Sequence, residues 1–280
     1  MATTEPVLTR EVRYTPPIWR QWNLIWNFAQ RDLKSKFKGS ALGWAWSLVV
    51  PLATLAIYTI VFSVVFRGKP PDFGNGDQGI FVVWMFGGLT TWTFFASSIN
   101  GGIGGLLGTG ALLKKIYFPA YAPVLGTVVA QAVQSAIEFS LYLLILLVLG
   151  NIGVSWLLLP VWLVLLAVFV ASLSTALAIL NVYVRDLAHL VSVGLQLMFY
   201  ATPIIYNIAI VPADLHGIPL RAIIAWSPVS LFVETLRALT YGLEVPPVSV
   251  WLAMLGWTAA ALAFGVLVHR RRGGDLGEEL

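Results

Sequence analysis

The 280-residue chain has no cysteine, so disulfides, thiol nucleophiles and thiolate metal sites are excluded. Its three histidines, His189, His216 and His269, lie far apart with no His-x-x-x-His spacing, so they give no metal ion a pair of ligands. No G-x-x-x-x-G-K-[ST] phosphate loop occurs, which excludes ATP hydrolysis by that route. Charge is scarce as well: Asp, Glu, Lys and Arg make up 11% of the chain against 58% hydrophobic residues. A soluble domain does not carry that balance, and the residues present are distributed in a way that explains it.

Runs free of Asp, Glu, Lys and Arg cover 39–66, 78–113, 116–137, 139–184, 187–213 and 245–269. A bilayer core about 30 Å thick needs roughly 20 apolar residues in a helix. Backbone groups in lipid must also be satisfied within the segment, so the runs read as helices. The turn signal Gly150-Asn151-Ile152-Gly153 divides the longest run in two. The run 78–113 ends in a glycine-rich stretch (Gly101, Gly102, Gly104, Gly105, Gly108, Gly110), read as one span followed by a loop. The expected fold is all-α and polytopic, with six transmembrane helices at 41–66, 79–99, 119–149, 157–182, 187–207 and 248–268. The segment 1–40 is an N-terminus with an amphipathic interface helix, 41–268 the membrane domain, and 269–280 a tail.

Lys and Arg set the orientation. With both termini inside, the inner segments hold thirteen of them, against four outside (Arg67, Lys69, Arg221 and Arg237). The expected location is therefore the cytoplasmic membrane, multi-pass, with cytoplasmic termini. The basic pI near 9.4 is a topology signal and requires no nucleic acid. The polar, basic start lacks the apolar core of a cleaved signal peptide.

Over 17–38, Trp19, Trp22, Trp26, Ala29, Leu33 and Phe37 fall on one helical face, and Arg20, Arg31, Lys34 and Lys38 on another. That pattern predicts a helix lying in the interface with its tryptophans at the acyl boundary. Its cations either serve only as a surface anchor or also meet an anionic headgroup or a partner. Glu138 is the one acidic residue inside an expected span, either a protonated or hydrogen-bonded helix contact or a proton relay. The outer segment 208–247 carries an apolar stretch, Ala222–Gly242, broken at Ser227-Pro228, a helix-start signal. It reads as short helices at about 219–242 re-entering the outer leaflet, or else as an extracellular hairpin. Glu234 and Arg237, one turn apart, are placed to pair. Aromatic residues near span ends fit interfacial belts, but Tyr58, Phe62, Trp84, Phe199 and Tyr200 are candidates for lining a conduit, where ring faces stack on sugar C–H surfaces.

Four local patterns then point the same way. RDLKSKFKGSALGWAWSLVVPL at 31–52 resembles the entry to the first span in permease subunits of polysaccharide ABC exporters of the ABC-2 type, which move O-antigen, teichoic acid and related lipid-linked glycans. LLKKIYFPAYAPV at 112–124 resembles that family's coupling segment. NVYVRDLAHLV at 181–191 with FYATPIIYN at 199–207 resembles its joint between spans four and five. WSPVSLFVETLRALTYG at 226–242 resembles its outer re-entrant pair.

The resemblance implies a transport subunit with no catalytic residues and no cofactor of its own. It implies a homodimer working with two copies of a separate ATPase that binds ATP and Mg. A coupling helix at about 101–118 would dock Lys114, Lys115, Ile116, Tyr117 and Phe118 on that ATPase. Arg185 and Asp186 would lie at the inner mouth, and Glu234 and Arg237 at an outer gate. The implied cargo is a polysaccharide on a polyprenyl diphosphate, with Arg31, Lys34 and Lys38 as candidates to meet its headgroup, and similarity to actinobacterial members makes a cell-wall galactan one such cargo. Two alternatives stand beside it: an ABC-2 permease for a small drug or lipid, and an integral-membrane polyprenyl-phosphate transferase. The transferase would need an acidic or histidine cluster, and Asp186 with His189 is the one nearby pair.

Overall fold

The apolar runs become helices because each satisfies its own backbone inside lipid. The computed structural model describes residues 21–36, 38–65, 70–113 and 118–273, and among them no strand occurs. In chain order the helices are α1 (Trp22–Lys36), α2 (Trp46–Tyr58), α3 (Phe81–Leu107), α4 (Gly110–Leu113), α5 (Tyr121–Val148), α6 (Leu159–Tyr183), α7 (Leu187–Ala201), α8 (Leu220–Ala225), α9 (Pro228–Thr240) and α10 (Val248–Arg272). Buried Pro51 sits inside α2, where it can donate no backbone hydrogen bond. Beyond Tyr58 the same helix continues in wider π-helical turns over Thr59–Val65.

Five helical stretches are long and apolar enough to cross a membrane: Gly43–Phe62, Phe81–Leu107, Tyr121–Val148, Val154–Tyr183 and Val248–Arg272. The expected span 187–207 differs. Its helix ends at Ala201 after 15 residues, about 22 Å, short of a roughly 30 Å core. Pro203 is the physical reason, since it drives Thr202 out of the helical region to φ −85°, ψ 138°. The helix still runs antiparallel along α3. The Ser192 hydroxyl donates to Asn100 at 3.2 Å, and the Phe199 ring lies 5.6 Å from Trp92. Helices α6 and α10 are packed parallel to one another. Gly265 sits on the Ser172 carbonyl, and the Tyr183 hydroxyl donates to the Arg272 carbonyl at 2.7 Å.

α3 is the hub of the bundle, with most of its length buried between α5, α6, α7 and α9. The expected loop at 101–110 is corrected here, because Gly101, Gly102, Gly104 and Gly105 are helical. A methyl group on Gly101 or Gly105 would press on Thr127, and one on Gly102 on Ser174. The glycines bring helix backbones together, which in membranes is the work of small residues. The expected start of the coupling helix at 101 therefore belongs to α3.

α1 also departs from the expectation. Ile25, Phe28 and Ala29 are buried against α5, and the Asp32 carboxylate accepts from the Thr127 hydroxyl at 2.6 Å. Those positions share a face at i, i+3, i+4 and i+7. Trp22 and Trp26 stack at 6.4 Å on the neighbouring exposed face, while Trp19 and Phe37 lie outside the described residues. The helix thus has two apolar faces, one docked on the bundle and one presented to the surroundings. Gly126 makes the docking possible, for a Cβ there would meet the Phe28 Cβ, the Ile25 carbonyl and the Ala29 nitrogen.

Gly126→Val should cost about 1–3 kcal/mol through overpacking. Thermal unfolding of the detergent-solubilised protein and protease cleavage within α1 would read it. Gly256→Val, where an added Cβ meets open space, should melt as the wild type does.

Candidate functional sites at the two ends of the bundle

At the α1 end, Phe118 turns inward. Its ring lies 5.3 Å from Phe28, and with Ile25, Tyr121 and Ala122 it forms a small separate core. The Tyr121 hydroxyl also donates to the Gln21 side chain at 3.1 Å. The candidate coupling residues Lys114, Lys115, Ile116 and Tyr117 lie outside the described residues. What the structure places is their exit, where Phe118 packs against Phe28 of α1 just before α5 begins.

Among the candidate headgroup residues, Arg31 pairs with Asp32 at 3.2 Å and lies 5.1 Å over the Phe28 ring. Lys34 and Lys38 are exposed. Lys36 approaches Glu138 of α5; burial lowers its ammonium below the usual lysine range, and the glutamate works in the opposite direction. Arg185 and Asp186 are exposed at the joint between α6 and α7, where the Asn181 side chain accepts from the Ala188 backbone at 2.7 Å and fixes the turn. Asp186 and His189 stay exposed, and no group of three or more potential ligands for a metal exists among the described residues.

At the opposite end, α9 is wedged among α3, α6 and α10. Its start is the one expected, with Pro228 in the first turn, although the Ser227 hydroxyl bonds Ser230 at 2.8 Å instead of capping the backbone. The Arg237 guanidinium, 3% exposed, donates to the carbonyls of Trp84 (3.0 Å), Pro203 (2.5 Å) and Ile204 (2.6 Å) and to Glu234 Oε1 (2.8 Å). It also lies 3.5 Å from the Trp84 ring centre. This buried cation is thus compensated on every side. Gly88 leaves the room it needs, for a Cβ there would stand 2.5 Å from Nη2. Glu234 remains about one-third exposed.

The candidate aromatic residues divide into two groups. Tyr58, Phe62, Phe81 and Trp84 form a ladder with successive centroids 5.3–5.8 Å apart, which ends beneath Arg237. Phe199 leans on Trp92 and Tyr200, and Tyr200 is 62% exposed. Trp84 is buried as packing, whereas Tyr200 presents a surface.

The sequence reading missed the lock on the end of α9. Buried Asn151 donates to the carbonyls of Thr240 (2.9 Å) and Tyr241 (2.8 Å). The Tyr241 hydroxyl donates to the Pro71 carbonyl and accepts from the Ile80 amide. The Tyr142 and Thr240 hydroxyls share a hydrogen bond of 2.8 Å. Only the turn signal around Asn151 hinted at it, since neutral side chains with distant backbone partners leave no local pattern.

Arg237→Leu strips three carbonyls of their donor and should destabilise the purified protein by about 3–5 kcal/mol. Glu234→Gln removes a partly solvated partner and should cost about 1 kcal/mol or less. Equal thermal shifts for the two variants would contradict the arrangement.

Residues 23–241 match the profile of the ABC-2 type transporter family. The chain is 30% identical over 262 residues to the O-antigen export system permease protein RfbA of Myxococcus xanthus, covering 90% of this chain and 95% of that one. It is 28% identical over 220 residues to the O-antigen export system permease protein RfbA of Klebsiella pneumoniae, with 78% and 80% covered. The polysialic acid transport protein KpsM of Escherichia coli is 23% identical over 254 residues, with 86% and 90% covered. Together with the all-helical, membrane-crossing bundle, these matches show that the chain belongs to the ABC-2 type transporter family.

Proposed function

We propose that this chain is the permease subunit of an ATP-driven exporter. In this reading it moves a polyprenyl-diphosphate-linked polysaccharide from the cytoplasmic side across the cytoplasmic membrane, as a homodimer with two copies of a separate ATPase. The observation that carries it is full-length similarity to permeases named for O-antigen export, combined with a chain that has no phosphate loop. The galactan reading comes from the sequence resemblance to actinobacterial members alone.

Six crossings fit this function, with both termini cytoplasmic. Because α6 and α10 run parallel, the chain between them must return once to the end where α6 began. α7 and the turn after it supply the path, lying beside α3 from Asn100 to Trp84, about 24 Å of helix rise. The α1 end is then cytoplasmic, and α8 and α9 form the re-entrant pair of the outer leaflet. Glu234 and Arg237 belong to the outer gate as its anchor, since the guanidinium ties α9 to the turn after α7. The exposed Tyr200 face of α7 is the side turned to the pathway between the two copies.

Coupling follows from the joint at Phe118. Closure of the ATPase dimer pushes Lys114–Tyr117, and the Phe118–Phe28 contact carries the displacement into α1 as a rigid-body shift. α1 leads to the exposed linker 38–42 and then α2, so the push reaches the first span. Lys34 and Lys38, with Arg31, form the cationic approach for a diphosphate that the bilayer core rejects.

Replacing Arg31, Lys34 and Lys38 together by Gln should cut surface polysaccharide at least about tenfold, on the scale of one lost charge-assisted contact. Dimer size and recovery of the ATPase on affinity purification should be unchanged. Unaltered export would remove the headgroup role, and purification without any ATPase would overturn the exporter reading. The cysteine-free chain also suits topology mapping: Gly217→Cys should react with an impermeant maleimide on intact cells, and Val184→Cys only after lysis.

A further inference from the structure

A notch of about 170 Å³ opens between α1, α2, α3 and α5 where α2 begins its crossing. It differs from the apolar grooves elsewhere on the bundle in being lined mainly by polar side chains, among them Lys36, Gln131, Gln134, Ser135 and Glu138. Trp46, 41% exposed, stands at its edge. The Ser47 hydroxyl donates to Gln134 Oε1 at 2.9 Å and leaves the amide nitrogen of Gln134 without a described partner. Ser97, Gln131, Ser135 and Glu138 make no side-chain hydrogen bond to any described residue. Polar groups at this depth are costly to leave unpaired. α3 and α5 have therefore gathered donors and acceptors that the bundle itself does not use.

The mixture selects a ligand chemistry. A bare phosphate attracted by Lys36 would be opposed by Glu138, and a simple cation by Lys36. A ring carrying several hydroxyl groups matches both, because each hydroxyl donates to a carboxylate or amide oxygen and accepts from an ammonium or amide N–H. The Trp46 ring offers an apolar edge for the C–H face. The volume lies below the roughly 300–1,000 Å³ of drug-sized pockets, so it suits one ring and not a chain.

We infer that this notch binds a single polyol ring held at the cytoplasmic membrane surface, either the membrane-proximal sugar of a lipid-linked glycan or the inositol of a phospholipid. The sidedness rests on the orientation proposed above; the binding does not. The test uses the full chain with its ATPase in phosphatidylcholine nanodiscs and three probes: decyl phosphate, decyl phosphoglucose and dioctanoyl phosphatidylinositol. At least one ring-bearing probe should bind about tenfold more tightly than decyl phosphate, the worth of one hydrogen bond to a charged group. Preference for the glucose probe assigns the notch to cargo, and preference for inositol to a membrane lipid. The advantage should vanish in Gln131→Leu/Glu138→Leu with ATPase recovery unchanged. A second readout needs no loss of function: the ring probe should slow maleimide labelling of Ser97→Cys and leave Ser192→Cys unaffected. Equal binding of all three probes, or labelling of Ser97→Cys that no ring probe slows, overturns the inference, whatever export assays report.

Discussion

A cation taken out of water must find its whole solvation shell in the protein, and Arg237 does so with backbone carbonyls from two other parts of the chain. No neutral side chain on α9 could hold Trp84, Pro203 and Ile204 together at once, because only the guanidinium fork presents five donors in fixed directions. The α9 helix, the start of α3 and the turn after α7 are consequently one body. Asn151 and Tyr241 extend that body to the loop before α3 and the turn after α5, again through backbone oxygens. This end of the bundle is held together by buried hydrogen bonds to backbone oxygens, from which water is excluded.

The opposite end is joined by different forces. Phe118, Phe28 and Ile25 pack by shape, Gly126 lets two backbones approach, and a single hydroxyl–carboxylate bond links Asp32 to Thr127. Dispersion contacts of that kind tolerate small sliding, whereas buried charge networks do not. In the orientation proposed above, that asymmetry suits a subunit driven by a separate ATPase: the compliant joint would receive the push, and the hydrogen-bonded frame would keep the far end closed until whole helices move.

Much of this was legible in the sequence, and what escaped has identifiable physical causes. The scarcity of charge between residues 39 and 269 located every long helix, because lipid penalises ionised groups whatever the tertiary fold. The Ser227-Pro228 signal located the start of α9 because proline's fixed φ acts locally. The glycines of 101–105 misled, since the cue that marks a loop in water marks close helix packing in a membrane. The run 187–213 hid a break because absence of charge says nothing about Pro203. Glu234 and Arg237 could be paired by spacing, but the carbonyls that enclose Arg237 lie up to 153 residues away and belong to the fold alone. Gln131, Gln134 and Ser47 gave no signal for a related reason: uncharged, they pass through a hydropathy reading unnoticed, and only packing brings them together.

The burial pattern bears on what can move. α3 is enclosed on nearly all sides, so it cannot shift without dismantling the core. α2 and α7 each present a long apolar face instead: Val49, Leu52 and Ile57 on one, Leu190, Val193, Leu197 and Tyr200 on the other. Such faces cost nothing against lipid and little against a second copy, so the two helices can exchange one environment for the other at small free-energy difference. α7 is nevertheless held at its far end by the Arg237 bonds to Pro203 and Ile204, and α2 is reached from α1 through a short exposed linker. If coupling runs through α1 as proposed, motion delivered there should tilt α2 first and swing α7 about its anchored end, opening the bundle from the α1 side while the α9 side still holds.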